Sequence, residues 1–297
     1  MRRRLCLCLL VLASAALAAP ATVRAGSYAP PRGHVLLGLG IDPFRAFRIA
    51  AQFGSAPMVH ISTSAGNNLP GRLSPRAIAR GRGDRWLLAL QADVVAARRP
   101  VYVRPLAEMD AYWNPYSAYG PSGRRDAAHS TRWFRRAWRR IAVILRGGPD
   151  VDARLRAMGL PPTGRGGLAK GQVALVWCPQ VAGAPDVPGN APRAYWPGRR
   201  WVDWAATDFH SRFPNFAGLE RFYRAFPGKP FAFGEWALWG RDDPAFVHRL
   251  FRWVRGHRRV RMLVYNQGAA PGGPFDLARY PRSRAAIRAA TRGARFR

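Results

Sequence analysis

The stretch VYVRPLAEMDAYWNPYSAY, residues 101–119, decides how the rest of the chain is read. Val101, Tyr102 and Val103 follow Arg98-Arg99-Pro100 and predict a short buried strand. The strand delivers Glu108 into a run of aromatics, Tyr112, Trp113, Tyr116 and Tyr119. A carboxylate at the tip of a buried strand is costly unless it is paired or does chemistry. Aromatic faces beside it suit a sugar, which presents an apolar C–H face among many hydroxyls. An acid beside such platforms is what glycosidic bond cleavage needs.

Outward from this stretch, strands and helices alternate. Upstream, His34 to Ile41 reads as a buried parallel strand, Phe44 to Phe53 as a helix, Pro57 to Ser62 as a second strand and Gly66 to Gly83 as loop. Asp84 is placed to cap an amphipathic helix over Arg85 to Arg98, with Trp86, Leu87, Leu90 and Val94 inward. Downstream, Ser130 caps a helix over Thr131 to Arg146 whose inner face is Trp133, Phe134, Ala137, Trp138, Ile141 and Leu145. Gln172 to Trp177, Trp201 to Asp208, Phe231 to Glu235 and Val260 to Tyr265 read as strands. Helices are expected over Phe216 to Phe226, from Asp243-Pro244 to about Arg255, and over Arg282 to Arg292. Such alternation argues for a parallel sheet, and the length suits one (β/α)8 TIM barrel over residues 26–297. Seven strands can be counted. The eighth is expected between residues 62 and 101, as a degenerate strand near Asn68 to Ile78, or is missing from a truncated barrel.

Residues 1–25 read as a secretory signal: Arg2-Arg3-Arg4, an apolar run from Leu5 to Ala18, and small residues at Ala16-Leu17-Ala18 or Val23-Arg24-Ala25. The run is short for a bilayer span, so a secreted, extracellular protein without a membrane span is expected. Removing the signal takes Cys6 and Cys8 and leaves Cys178 alone, so no internal disulfide can form. The net charge of +32 comes from 48 basic residues, of which only Lys170 and Lys229 are lysines. Cleavage after Ala25 removes four arginines and leaves +28. The arginines are spread along the chain without a compact basic block, which argues for compositional bias over a nucleic-acid face. Their field would still draw in anionic surfaces, including cell-wall polymers. The six histidines show no metal-ligand spacing, and no metal or other cofactor is expected. A monomer is expected.

Glutamate is scarce, at Glu108, Glu220 and Glu235 only. Glu220 lies mid-helix four residues before Arg224, an ordinary surface position. The other two stand at the carboxyl ends of strands, where this barrel class puts its active site. Spacing alone leaves two readings open: a pair of catalytic carboxylates, or two buried ion pairs with arginine.

Arg104-Pro105-Leu106-Ala107-Glu108-Met109-Asp110 with Trp113, followed by Lys229-Pro230 and Phe233-Gly234-Glu235, resembles glycoside hydrolase family 26. Val176-Trp177-Cys178-Pro179, Tyr195-Trp196-Pro197-Gly198, Val202-Asp203-Trp204 and Asp208 extend the resemblance over most of residues 80–240. It implies a retaining TIM-barrel glycosidase, β-mannanase-like, with the acid/base closing the fourth strand and the nucleophile the seventh. Counted back from the last strand, these fall on Glu108 and Glu235. The family usually has His before the acid/base and Asn two residues after it; here Ala107 and Asp110 stand there. Where it has a tyrosine holding the nucleophile, this chain reads Asp208-Phe209-His210, making His210 the substitute donor to Glu235. Double displacement follows from the resemblance, with Glu235 attacking the anomeric carbon and Glu108 protonating the leaving oxygen. Arg104 is expected to orient the carboxylates, and Asp110 to press on Glu108 by like-charge repulsion. Trp113, Trp177, Trp236 and Tyr265 are candidate sugar platforms, while Trp239 is assigned to the core.

The expected function is a secreted glycosidase, endo-acting on a β-1,4-linked polysaccharide such as mannan. A catalytically inactive carbohydrate-binding protein on the same fold is the alternative, motivated by Ala107 and Asp110. A nucleic-acid binder conflicts with the signal sequence and the scattered charge.

Overall fold

The computed structural model describes residues 26–40, 58–61, 73–125, 127–268 and 271–296. The expected signal (1–25), the helix expected over Phe44 to Phe53 and residues 66–72 of the expected loop lie outside the described residues. Seven parallel strands are β1 (Leu36–Gly40), β2 (Met58–Ile61), β3 (Val101–Pro105), β4 (Val173–Trp177), β5 (Trp204–His210), β6 (Phe231–Ala237) and β7 (Val260–Asn266). They run in the order β1-β7-β6-β5-β4-β3-β2, so the two ends of the row are consecutive in the chain, as in a sheet curled toward a barrel. The helices are α1 (Pro75–Ala79), α2 (Asp84–Ala96), α3 (Thr131–Arg146), α4 (Val151–Ala157), α5 (Phe216–Ala225), α6 (Pro244–Gly256) and α7 (Pro281–Thr291).

Of the two alternatives for the interval 62–101, the described residues support the missing strand over the degenerate one. β2 hydrogen-bonds directly to β3, with Met58 opposite Tyr102 and Ile61 opposite Pro105, so no strand lies between them. Pro75–Ala79, within the span expected to be a degenerate strand, is helical because Ser74 Oγ accepts from Ala77 N at 3.2 Å and Pro75 opens the first turn. Asp84 is likewise not a cap. Gly83 takes that position at φ 87°, and the Asp84 carboxylate turns to Arg140. Short α4 was not anticipated.

Strand alternation sorts the side chains into two cores. Tyr102, Ala174, Val176, Cys178, Trp204, Ala206, Ala232, Met262 and Val264 fill the inside of the curled sheet. Small alanines at 174, 206 and 232 alternate there with the large Tyr102, Trp204 and Met262, which fill the interior between facing strands. Their odd-numbered neighbours Val101, Val103, Leu175, Trp177, Ala205, Phe231, Phe233 and Leu263 point outward and pack under the helices. The lead-in closes the amino-terminal end of the inner core: Tyr102 Oη donates to the Tyr28 carbonyl and Trp204 Nε1 to that of Ser27.

α3 carries the outer layer on Phe134, Ala137, Trp138, Ile141 and Leu145, all buried. Ser130 caps it by accepting from Trp133 N at 3.2 Å. Gly147 ends it at φ 64°, where a Cβ would lie 2.1 Å from the Ala169 carbonyl oxygen. Among the described residues no helix is long and apolar enough to cross a membrane.

One polar contact inside this layer ties three segments together. Arg140, fully buried on α3, donates from Nε to Asp84 Oδ1 at 3.0 Å, from Nη2 to Asp84 Oδ2 and from Nη1 to the Pro161 carbonyl. Removing the guanidinium strands a largely buried carboxylate, so Arg140→Met should destabilise the fold by about 3 kcal/mol. Chemical denaturation checks this, and a loss under about 1 kcal/mol, the worth of an exposed pair, would contradict it.

Candidate active site

At the carboxyl ends of β3, β5 and β6 one guanidinium serves two carboxylates. Arg104 Nη1 donates to Asp208 Oδ1, and Nη2 lies 3.2 Å from Glu235 Oε2. Arg104 and Asp208 are almost wholly buried, whereas the Glu235 side chain is 24% exposed. Burial works to discharge Arg104, but the carboxylates of Asp208 and Glu235 outweigh it and hold its pKa well above the ordinary value. Asp208 is pushed up by burial, opposed by Arg104, with the charges of Glu235 and Glu108 adding to the push. The Cys178 thiol, pushed up by burial and by Asp208, stays protonated and donates to Asp208 Oδ1 at 3.2 Å.

Glu235 reaches this cluster through a break in strand regularity. Register shifts between Thr207 and Asp208 on β5, and between Phe233 and Trp236 where β6 pairs with β7. Such bulges re-aim side chains. Gly234 makes the approach possible, since a Cβ there would lie 2.7 Å from Cys178 Sγ and 3.0 Å from Arg104 Cδ. The other oxygen of Glu235, Oε1, lies 3.0 Å from His210 Nε2 and accepts from Asn266 Nδ2.

Glu108 is presented differently. Both it and Leu106 have positive φ, 52° and 49°, a conformation that costs about 1–3 kcal/mol at a non-glycine residue. Neighbours over-determine it: Glu108 N donates to the Cys178 carbonyl at 2.7 Å and Asn114 Nδ2 to the Glu108 carbonyl at 3.0 Å. Tyr116 Oη donates to the Ala107 carbonyl, and Asn190 Nδ2 to that of Asp110 at 2.7 Å. The carboxylate itself accepts only neutral donors among the described contacts, Trp113 Nε1 on Oε2 at 2.8 Å and Gln180 Nε2 on Oε1. Cys178 thus links the glutamates, its carbonyl holding Glu108 and its thiol touching the Arg104–Asp208 pair.

Asp110 does not face a substrate. It is fully buried, Oδ1 accepts from Gln180 N at 2.8 Å, and Oδ2 has no partner among the described residues. Burial pushes its carboxyl well up, and the charge of Glu108 pushes further. Asp110 acts on the site by fixing the main chain of Gln180.

Three of the four expected platforms are corrected by alternation. Trp177 is fully buried against Trp196, Phe222 and Phe226. Trp236 and Tyr265 are 3% and 4% exposed and pack edge to face at 5.0 Å. Each is one residue from a site position, and on a strand that means the opposite face. Trp113 is 53% exposed beside the half-exposed Tyr112, whereas Tyr116 and Tyr119 are buried. Trp239 is corrected in the other direction: half-buried, edge-on to His210, it lines a cleft of about 490 Å³ with Ser211, Arg212 and Arg241. Glu220 sits apart on α5, 2.7 Å from Arg224 and 2.8 Å from His257. Sequence reasoning missed Asn266, Gln180 and Cys178. Ending the last strand at Tyr265 hid the first, although Asn266 occupies the strand-tip position that marked both glutamates.

A parallel curled sheet with charged side chains gathered at its carboxyl end is the architecture of a (β/α) barrel. No protein-family model matches the chain, and no curated protein is similar to it. Solved structures are. An endo-β-1,4-mannanase double mutant from Cellulomonas fimi superposes with TM-score 0.55 at 16% identity, over 83% of this chain and 56% of that one. A family 26 β-mannanase from Bacteroides ovatus gives 0.50 at 16%, over 86% and 73%. The catalytic domain of a family 26 endo-β-1,4-mannanase from Bacillus sp. JAMB-750 gives 0.50 at 12%, over 83% and 68%. This chain thus spans little more than half the length of the Cellulomonas protein. At these identities the likeness establishes the fold, which is the one these β-mannanases share.

Asp110 gives the site a titration signature. A carboxyl whose pKa is raised by folding favours the native state most at low pH, and that contribution is lost as pH climbs from the unfolded value, about 4, through the folded one. Asp110→Asn keeps the acceptor for Gln180 N and removes the titration. Thermal melts should show the melting-temperature difference, variant minus parent, growing from pH 5 to pH 8. Parallel melting curves across that range would contradict the assignment.

Proposed function

We propose that the chain is a secreted retaining glycoside hydrolase, endo-acting on a β-1,4-linked polysaccharide, mannan or a related β-glycan. The observation that carries this reading is the unequal dress of its two glutamates. Glu235 is surrounded by the donors that an ionised nucleophile needs, Arg104, His210 and Asn266. Glu108 meets Trp113 and Gln180, neutral groups that permit a proton to come and go. A carboxylate held by charged and amide donors suits the nucleophile, and one reached only by neutral donors suits the acid/base. The likeness of the fold to β-mannanases directs the choice of substrate.

In the first step a Glu235 oxygen bonds to the anomeric carbon as the glycosidic C–O bond breaks, and the Glu108 proton passes to the departing oxygen. In the second, Glu108 takes a proton from water, the water oxygen bonds to the anomeric carbon, and the Glu235 ester breaks. Arg104 stays fixed to Asp208 throughout and releases or reclaims Glu235 Oε2 as its charge falls and returns. Trp113 with Tyr112 on one side and Trp239 on the other offer aromatic faces for flanking sugar units.

Mannan, xylan, mixed-linkage and plain β-glucans incubated with the purified mature chain test the reading. Turnover of at least one is expected, with the first-formed product keeping the β-anomeric configuration by NMR. Glu235→Ala should leave no turnover. Glu108→Gln should lower kcat/KM by about 10²–10⁴ on polysaccharide, and far less on an aryl glycoside whose leaving group needs no proton. An active Glu235→Ala variant would overturn the assignment. Glycan binding by that variant, with no turnover by the parent, would make the chain a carbohydrate-binding protein.

A further inference from the structure

The end of the barrel opposite the glutamates holds a second cavity, of about 840 Å³, that this chemistry does not use. Its walls come from the lead-in before β1 and from the turns that enter β6 and β7. Six arginines and one lysine line it, and among the described residues no carboxylate does. Among the described residues none of the seven takes part in an ion pair, although seven ion pairs elsewhere use other arginines. Asp203, the acid felt by Lys229, is already chelated through both oxygens by Arg146 at 2.9 Å.

These cations are held in place without being neutralised. Arg259 Nη1 donates to the carbonyls of Phe226 and Lys229 at 3.0 and 3.1 Å, while its guanidinium lies 3.7 Å from the Tyr223 ring centre. Arg295 donates to the carbonyls of Arg255 and Val254 at 2.9 and 3.0 Å, and Arg261 to that of Pro30 at 2.8 Å. Carbonyl partners orient a guanidinium but leave its charge uncompensated. The cations consequently repel one another. Burial lowers the pKa of Arg295, with Arg261 and Arg255 lowering it further, and burial then Arg32 do the same to Arg261. An anion entering the cavity relieves this repulsion and meets donors already ordered.

The lining also selects among anions. Apart from the cations it consists of Ser27, Ala29, Gly33, Pro227, Gly228 and Pro230. Among the described residues a sugar ring finds no aromatic lining residue to stack on, and one serine hydroxyl is the only neutral polar side chain. Charge is the sole handle, and planar guanidinium groups fit phosphoryl oxygens two at a time. We propose that this cavity is a binding site for a chain of phosphoryl groups, a polyphosphate-type anion, at the face of the barrel away from the glutamates. Binding there leaves the strand tips that carry Glu108 and Glu235 untouched.

Calorimetric titration of the mature chain with sodium tripolyphosphate tests the proposal. Saturable one-to-one binding that weakens with added salt is expected. Arg32 and Arg258 line the cavity, are exposed, and anchor no main-chain carbonyl among the described contacts, so Arg32→Gln/Arg258→Gln should fold normally by circular dichroism. That double variant should bind about tenfold or more weakly. Arg132→Gln/Arg156→Gln removes equal charge from exposed helix positions elsewhere and should bind as the parent does. Equal weakening of both double variants would reduce the effect to diffuse charge and overturn the site. So would the absence of saturable binding, or polygalacturonate or duplex DNA competing at lower charge concentration than tripolyphosphate. Glycan hydrolysis reads separately, since neither arginine touches the glutamate cluster.

Discussion

One guanidinium divided between two carboxylates is the constraint on which the carboxyl end of this barrel depends. Arg104 is sealed from water on β3 with Asp208 against one nitrogen and Glu235 against the other. Taking such an ion out of water costs on the order of several kcal/mol, and the cost is tolerable only when partners stand in place beforehand. Everything nearby is consistent with that requirement. Gly234 has no side chain because Cys178 and Arg104 occupy the space, Cys178 donates to the same Asp208 oxygen, and the bulges on β5 and β6 bring Asp208 and Glu235 opposite one another. Of the two acids that share this base, Glu235 is the better exposed.

The strain in the Glu108 loop has a related origin. A glutamate three residues past a strand that ends in Pro105 could not turn back toward the cluster in an extended conformation. Positive φ at Leu106 and Glu108 makes the turn, and bonds from Cys178, Asn114, Tyr116 and Asn190 hold it there. The long excursion after β4 supplies two of those groups, and its main chain also pairs with this loop at Ala184. Rigidity at the site is built from main-chain carbonyl contacts, so it owes little to a fold-wide pattern of hydrophobic residues.

That difference explains what could be read from the sequence. Alternation of apolar strands with amphipathic helices, and caps such as Ser130 and Asp243, are local signals, and they place all seven strands and the long helices within a few residues. The two glutamates stand out because the chain has so few and because both follow strands. What failed was the face: Trp177, Trp236 and Tyr265 lie at strand tips, yet one residue of shift turns each into the helix layer, where large aromatic side chains fill space. Asn266 and Gln180 are polar residues without a distinctive pattern, visible only once β7 and the turn after β4 are laid beside the glutamates. Between the two alternatives for residues 62–101, a degenerate strand or a missing one, the sequence could not choose, because nothing there announces that β2 and β3 pair directly.

The central claim is that Glu235, poised by Arg104, His210 and Asn266, forms a covalent bond to sugar. A 2-deoxy-2-fluoro-β-mannosyl fluoride slows the second displacement more than the first and traps such an ester for peptide mapping by mass spectrometry. The adduct should sit on the peptide containing Glu235, with activity lost in step with labelling. An active enzyme that is never labelled, or one labelled at Glu108 instead, would contradict the account.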